Sequence, residues 1–503
     1  MRWQIRTDLR KLAIDACAEG PLSIAAAGGK GGVGTSLLLA NLGVFLAQIG
    51  NRILLVDLAR GGGNLHSMIG HAGDAPAEAA GDGDSPDRFA ETTPISGLDV
   101  IPARPADRRR SPRLGWKRWR EEIARLAPAY DGFLFDCGTW PRREELDLFV
   151  HAYSPVVVIV PEPTSVDSTL GLLLEATRRF LAHDPSLGAL VRRTLSACRR
   201  ALPTPAELLE RIADTDETAA ASLARRLARF RPGLVVNQVR VKADFDLGLA
   251  VESVARRVLG VPLQFVGAIE SDDAVWKTIR HGRPLLVDAP TSKPAKEIER
   301  IARRLLAPEG AAPGVRPGLR RPGRTENLYE ALEVDPGATD DEVRRAYRRL
   351  HEVYSTGHIA TRGHVGAADM RRIQARVEEA YETLTDVSRR RPYDRGLKEA
   401  AGRNGPGPAV ENDAAQAGFT GATLREARRR AGMEREDLAT AAHVGGVYIR
   451  AIEEEEFGAL PEEVYLRGYL RQVARALGLP ERDVAEGYLR RYRWGRRKPD
   501  RRR

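Results

Sequence analysis

The segment Gly28-Gly29-Lys30-Gly31-Gly32-Val33-Gly34-Thr35-Ser36 joins a short apolar run at residues 22–27 to a longer one at 36–50. The first run is continuous and Ala/Ile/Leu-rich, which reads as a buried strand, and the second has the length and composition of a helix. A glycine-rich turn between a strand and a helix aims backbone N–H groups at an anion, at the positive end of the helix dipole. Loops of this kind usually carry a lysine just before the final Ser/Thr, to hold the outer phosphates. That position is Thr35, whereas Ser36 keeps the magnesium-type hydroxyl. A lysine charge about 3–4 Å from a phosphate oxygen is worth roughly 4 kcal/mol at an effective dielectric near 20, before desolvation. The cradle is kept and the cation is lost.

At 503 residues the chain is too long for one core, so several domains are expected. Residues 22–306 alternate strand and helix patterns. Strands are expected at 22–27, 52–58, 98–103, 132–137, 156–161, 234–239 and 263–269, several of them continuous Val/Ile/Leu runs suited to a parallel sheet. An Arg/Leu-rich helical insertion fills 180–230. The fold class is therefore α/β, a parallel-sheet P-loop NTPase domain at 1–308, followed by two small all-α domains. A Pro/Gly/Arg linker covers 309–325, a helical module 326–397, a second linker 398–418, a further helical module 419–494 and a basic tail 495–503.

The net charge of +10 is uneven, because residues 489–503 hold nine Lys/Arg against one Asp. That tail, with Tyr492 and Trp494, could meet nucleic acid or an anionic membrane surface, or stay solvated. Residues 108–120 are also basic and carry Trp116 and Trp119, which are expected to pack inward from a surface helix. Trp3, Ile5, Leu9 and Leu12 could form a small amphipathic docking helix. No apolar run approaches the ~18 residues of a membrane span, and no secretion signal is apparent. Cys17, Cys137 and Cys198 lack metal-type spacing. The expected location is cytoplasmic, with a peripheral place at the membrane or cell pole left open.

The first module resembles the MinD/ParA group of deviant P-loop ATPases, which includes the flagellar-number regulator FlhG. Lys30 falls on the group's signature lysine, which reaches a partner subunit's nucleotide across a dimer. The run LLVDLARGGGNLHSMIG resembles the first switch, with Asp57 on the first acid and Ala59 where the second acid stands. GFLFDCG resembles the second switch, with Asp136 as the metal-side carboxylate. VPEPTS and VVNQV also match, the latter placing Asn237 at a base-recognition position. The resemblance implies ATP or ADP with Mg, held by Gly29, Lys30, Gly31, Gly32, Val33, Gly34, Thr35, Ser36 and Asn237, with Ser36, Asp57 and Asp136 around the metal. Losing both the cation at Thr35 and the acid at Ala59 should cripple turnover while leaving binding.

The sequence from Asn327, with the Thr339-Asp340-Asp341-Glu342 capping box, and the stretch AYETLTDVSRRRPYD resemble the two ends of a J-domain. Such domains stimulate chaperones through a His-Pro-Asp turn after the second helix. Here that turn falls on Ser355-Thr356-Gly357, so the signature is absent, and His351, His358 and His364 read as solvated surface residues. Residues 424–492 resemble the cytoplasmic helix-turn-helix of RodZ-like proteins. Helix Tyr448-Ile449-Arg450-Ala451-Ile452 runs into four glutamates, 453–456, which would repel phosphates, although Arg425, Arg428, Arg429 and Arg430 could reach a DNA backbone.

These readings converge on a pseudo-ATPase scaffold or regulator in bacterial spatial positioning that binds nucleotide weakly or not at all and hydrolyses it little, with a protein partner on the C-terminal helical domains and a homodimer as the family tendency. Two alternatives stay open: a DNA-associated regulator and a slow ATPase.

Overall fold

A computed structural model describes residues 22–59, 65–71, 90–103, 116–198, 201–306, 327–403, 420–430, 433–442, 444–457 and 463–477, with Leu460, Leu479, Val484, Ala485, Tyr488, Leu489 and Tyr492. Trp3, Ile5, Leu9, Leu12 and Cys17, residues 108–115, the linker 309–325, Trp494 and the tail 495–503 lie outside them. Two compact units emerge, Met1–Arg395 and Gly396–Arg503.

The first unit is built on an eight-stranded sheet in the order β3-β4-β2-β5-β1-β6-β7-β8. Its strands are β1 Leu22–Gly28, β2 Ile53–Asp57, β3 Glu91–Thr92, β4 Leu98–Ile101, β5 Gly132–Thr139, β6 Ser154–Ile159, β7 Gly233–Val239 and β8 Gln264–Glu270. All neighbours run parallel except β3 against β4. β3, a two-residue edge, has no apolar signal. β1 is buried along its whole length, as both faces of a parallel sheet demand.

The helix Thr35–Gln48 is apolar almost all round because it is covered on every side. The sheet lies beneath it, and Leu286, Ile298 and Ile301 pack on it from the end of the domain. Its one buried polar side chain in mid-helix, Asn41, is satisfied twice: it donates to the Leu37 carbonyl at 2.8 Å and accepts from the Leu286 N–H at 2.9 Å. Trp119 is buried edge-on to Phe135 at 5.3 Å, so this tryptophan does pack inward. Cys137 is buried and Cys198 half-buried, both as free thiols.

The insertion is three helices, Gly188–Ser196, Pro205–Ala213 and Glu217–Leu227, with a small core of their own around Leu208, Leu223 and Leu227. Beside it, His151 and His183 stack with centroids 5.3 Å apart. Burial, then the neighbouring His183, lowers the His151 imidazole to about 4.

The first helical module belongs, up to Arg395, to the same unit. Its helices are Leu328–Leu332, Asp340–Val353, Ala367–Thr385 and Val387–Arg403. The capping box forms: Thr339 Oγ1 accepts from the Glu342 N–H and Glu342 accepts from the Thr339 N–H at 2.8 Å. Val343, Ala346, Leu350, Ile373, Val377, Ala380 and Leu384 make the core. The last helix continues through the first residues of the expected linker at 398–418, because Lys398, Glu399, Ala400 and Ala401 are good helix formers.

The module is fastened to the sheet domain by buried polar groups. Ser253 Oγ bonds to Glu333 and lies 3.0 Å from the Tyr354 hydroxyl. Arg257, carried on a single widened turn, Ala255–Leu259, donates to the Ala331 carbonyl at 2.5 Å. Arg349 completes Glu333 at 2.9 Å. Burial lifts the Tyr354 phenol to about 12, so it stays a neutral partner.

The second unit holds the helices Gly421–Arg430, Arg435–Ala442, Gly446–Glu454 and Glu463–Ala476. Glu453, 2% exposed, receives Arg428 at 2.6 Å and Arg435 at 3.0 Å. Burial alone would raise this carboxyl, but the two arginines hold it below the ordinary carboxylate value. Arg435 also takes Glu454 at 2.7 Å, Glu455 accepts from the Gly421 N–H at 2.8 Å, and Arg450 lies 3.9 Å from Glu456. Glu453 is thus neutralised inside the module by Arg428 and Arg435, whereas Glu454 and Glu456 stay exposed, where they would still repel phosphates.

Two predictions follow from buried charge. The unfolded chain takes up a proton that folded His151 refuses, so its contribution to stability falls as pH drops from about 6.5 toward 4 and is flat above that range. Urea unfolding of His151→Phe should lose about 2 kcal/mol less than wild type between pH 7 and 4.5; equal losses would contradict the assignment. Glu453→Gln leaves Arg428 buried without a countercharge and should destabilise the second unit by about 3 kcal/mol, read by the same method.

Candidate functional site

β1 ends at the centre of the sheet, between β5 and β6, and the chain leaves it through the glycine loop. Parallel sheets bind ligands beyond the carboxyl ends of their strands, at such a point. A cavity of about 820 Å³ opens there. Lys30, Gly32, Val33, Gly34, Thr35 and Ser36 form its floor, Ala59 and Asp136 one side, and Asn237 another. Of the expected set, Gly29, Gly31 and Asp57 do not line it.

Two glycines are demanded by close approach. A Cβ on Gly29 would lie 2.3 Å from the Thr169 nitrogen, whose side chain accepts the Gly29 N–H at 3.2 Å. Gly34 caps the Thr35–Gln48 helix at φ 96, in the left-handed region, and a Cβ there would meet Asn237 Nδ2 at 2.1 Å. Asn237 uses its amide on the loop, donating to the Val33 carbonyl at 2.8 Å and accepting from the Gln238 N–H at 2.9 Å. Its role in this geometry is to brace the cradle. Gln238, at φ 59, adds a contact to the Gly32 carbonyl at 3.3 Å.

Asp57 and Asp136 are paired in register on β2 and β5. Asp136 accepts from the Ser36 hydroxyl at 2.5 Å and from the Gly138 N–H at 3.0 Å. Asp57 accepts from the Ala59 N–H at 3.0 Å and the Leu65 N–H at 3.4 Å. Burial, and then the charge of Asp136, lift the Asp57 carboxyl to about 7. Burial also raises Asp136, partly offset by Ser36 and Gly138. A hydroxyl beside two costly carboxylates suits Mg²⁺, a hard cation that takes oxygen ligands and usually one or two carboxylates plus phosphates. Among the described residues no group of three or more His, Cys, Asp or Glu could hold a metal unaided. Ser36, Asp136 and, behind it, Asp57 would hold Mg²⁺ together with a bound phosphate.

Thr35 is buried against the loop. Ala59 faces Gly138, where a Cβ would come within 3.0 Å of its own. Among the described residues lining the cavity the cations are Lys30 and Arg240. Lys30 is already engaged: its ammonium pairs with Glu162 and lies 3.4 Å from Thr164 Oγ1. The sequence reading missed Glu162 and the far wall, where Arg240, Glu270, Asp272 and Trp276 stand. The far wall had one legible signal: residues 270–273, Glu-Ser-Asp-Asp, close an apolar strand at its carboxyl end.

Three family models match in succession: the CobQ/CobB/MinD/ParA nucleotide binding domain over residues 24–285, the DnaJ domain over 327–394 and a helix-turn-helix domain over 423–484. The first spans just over half of the chain. The chain belongs to the CobQ/CobB/MinD/ParA nucleotide-binding family. An uncharacterised ATP-binding protein of Methanocaldococcus jannaschii is 25% identical over 292 residues, covering 57% of this chain and 88% of that protein. The DnaJ chaperone of Protochlamydia amoebophila is 39% identical over 74 residues, 15% of this chain and 18% of the chaperone's length. Among solved structures, the septum site-determining protein MinD of Pyrococcus horikoshii with Mg-ADP matches at 16% identity and TM-score 0.35, over 56% of this chain and 95% of MinD. A ParA family ATPase of Chlorobium tepidum matches at 19% and 0.37, over 57% and 98%. No helix among the described residues is long and apolar enough to cross a membrane.

The cradle's steric limits give a direct test. Gly34→Ala forces a left-handed alanine into Asn237 and should cost about 1–3 kcal/mol in thermal unfolding, with a loss of ATP affinity by titration. Adding Asn237→Ala should recover part of the stability by removing the clash; a Gly34→Ala chain of wild-type stability would contradict this packing.

Proposed function

We propose that this MinD/ParA-family chain is a pseudo-ATPase scaffold in a bacterial positioning system, serving polarity, a motility apparatus or the cytoskeleton. It holds ATP or ADP with Mg²⁺ and turns it over little. The observation that carries this reading is the pair Thr35 and Ala59, placed on the cavity wall around an otherwise complete cradle. Phosphoryl transfer depends on neutralising and positioning charge. Here one cation and one acid are missing, and Lys30 is bound to Glu162. The backbone amides, the helix N-terminus and Ser36 remain to bind phosphate. A ligand held in this way stabilises one conformation, or a dimer, by mass action.

The helical modules are the outlets to partners. In the second unit the start of the Gly446–Glu454 helix exposes Gly445, Gly446 and Val447, a surface without base-reading groups. Arg428 is buried on Glu453, and Arg425 donates to the Glu453 carbonyl at 2.9 Å. This favours a protein partner over DNA.

Calorimetric titration of ATP and ADP onto the full chain, with and without Mg²⁺, tests the reading together with phosphate release. Saturable binding is expected, with turnover no faster than a Ser36→Ala control. Thr35→Lys should tighten ATP binding, and only its combination with Ala59→Asp should restore turnover. Brisk Mg²⁺-dependent hydrolysis by the wild type would overturn the proposal. Salt-steep DNA binding would favour a DNA-associated regulator instead.

A further inference from the structure

The first turns of the Pro163–Ala182 helix are gripped from two sides. On one side is the phosphate loop. Glu162, the N-cap residue, makes no capping bond with its side chain. Its carboxylate reaches to Lys30 instead, and Thr164 Oγ1 accepts from the same ammonium at 3.4 Å. Thr169 Oγ1 accepts from the Gly29 N–H at 3.2 Å, with backbone against backbone. On the other side is the DnaJ-like module. His364 Nε2 lies 2.9 Å from Asp167 Oδ1 and 3.3 Å from the Asp167 carbonyl. Gly363, at φ +82, approaches so closely that a Cβ would stand 2.9 Å from Asp167 Oδ1.

His364 is no loose side chain. Its side chain is 16% exposed. The segment that carries it starts at buried Tyr354, whose hydroxyl meets Ser253 at 3.0 Å and whose carbonyl accepts from Gln374 at 2.7 Å. The expectation that these histidines are solvated fails here for a tertiary reason: the partner is nearly two hundred residues away, at Asp167.

Lys30 is one of two cations lining the cavity among the described residues, and a lysine charge bound to a carboxylate is withheld from phosphate. We propose that His364 and Asp167 are positioning residues for the phosphate site. By fixing the helix turn they keep Glu162 against Lys30, so the DnaJ-like module restrains nucleotide binding. By reciprocity, a bound triphosphate that draws Lys30 away loosens the His364 contact. This rests on the nucleotide-binding reading above. Lys30 and Glu162 are 42% and 54% exposed, so the effect is modest; exposed pairs shift equilibria by about two- to fivefold.

The test uses the full chain in two arms. Without nucleotide, competitive acetylation of the Lys30 amine should speed up about two- to fivefold in Glu162→Gln and in His364→Ala. His364→Gln, which keeps a donor, should behave as wild type. With ATP, calorimetry should show both variants binding about two- to fivefold tighter, and the double variant no tighter than Glu162→Gln alone, because both act on one path. If His364→Ala fails to fold, Asp167→Ala removes the same contact from the other side. Unchanged Lys30 labelling in the His364 or Asp167 variant, or additive gains in ATP affinity, would overturn the proposal. Absence of ATP binding by the wild type would instead remove the nucleotide reading and leave the labelling arm to decide the contact.

Discussion

Asp57 and Asp136 stand side by side at the ends of neighbouring strands, both taken out of water. Two buried carboxylates in register are costly unless a cation or a set of N–H and O–H donors meets them. The molecule supplies donors: the Ser36 hydroxyl and the backbone of Ala59, Leu65 and Gly138. These contacts draw the start of the Thr35–Gln48 helix and the turns after β2 and β5 around the same point. The cavity is thus organised by negative charge that its own side chains do not cancel, and Lys30 is committed to Glu162 at its rim. A magnesium-phosphate ligand would supply the missing positive charge and the anion for the loop together.

The sheet and the loop were legible because their cause is local. A continuous apolar run that ends in glycines can be little else, and the Thr339–Glu342 box is a four-residue signal. The contacts that set the behaviour of the site were not legible. Glu162 meets Lys30 and His364 meets Asp167 across long stretches of chain, and although Lys30 and Glu162 each sit in a recognisable motif, nothing in either motif says that they pair. Glu453 read as part of a repulsive patch because its arginines, Arg428 and Arg435, reach it only after the helices close. The short edge strand β3 and the helical stretch past Lys398 were missed for smaller reasons, one too brief to show a period and the other hidden next to a Gly/Pro-rich run.

The join between the sheet domain and the DnaJ-like module is polar and almost fully satisfied. Ser253, Arg257, Glu333, Arg349 and Tyr354 form a closed network. Such networks fix one arrangement more than they add net stability, since each member left alone is penalised. A greasy join would tolerate sliding. This one holds the segment 354–366 at a fixed place beside the nucleotide domain, with His364 against Asp167.

Asn41 sits in the middle of an apolar helix and relies on the Leu286 N–H for its second bond. The start of the nucleotide domain is therefore completed by its end. A fragment trimmed ahead of Leu286 would strand that amide oxygen and uncover the Phe45 side of the helix, however intact its glycine loop looked on paper. The shortest excerpt able to stand alone has to run through the Lys293–Leu305 helix.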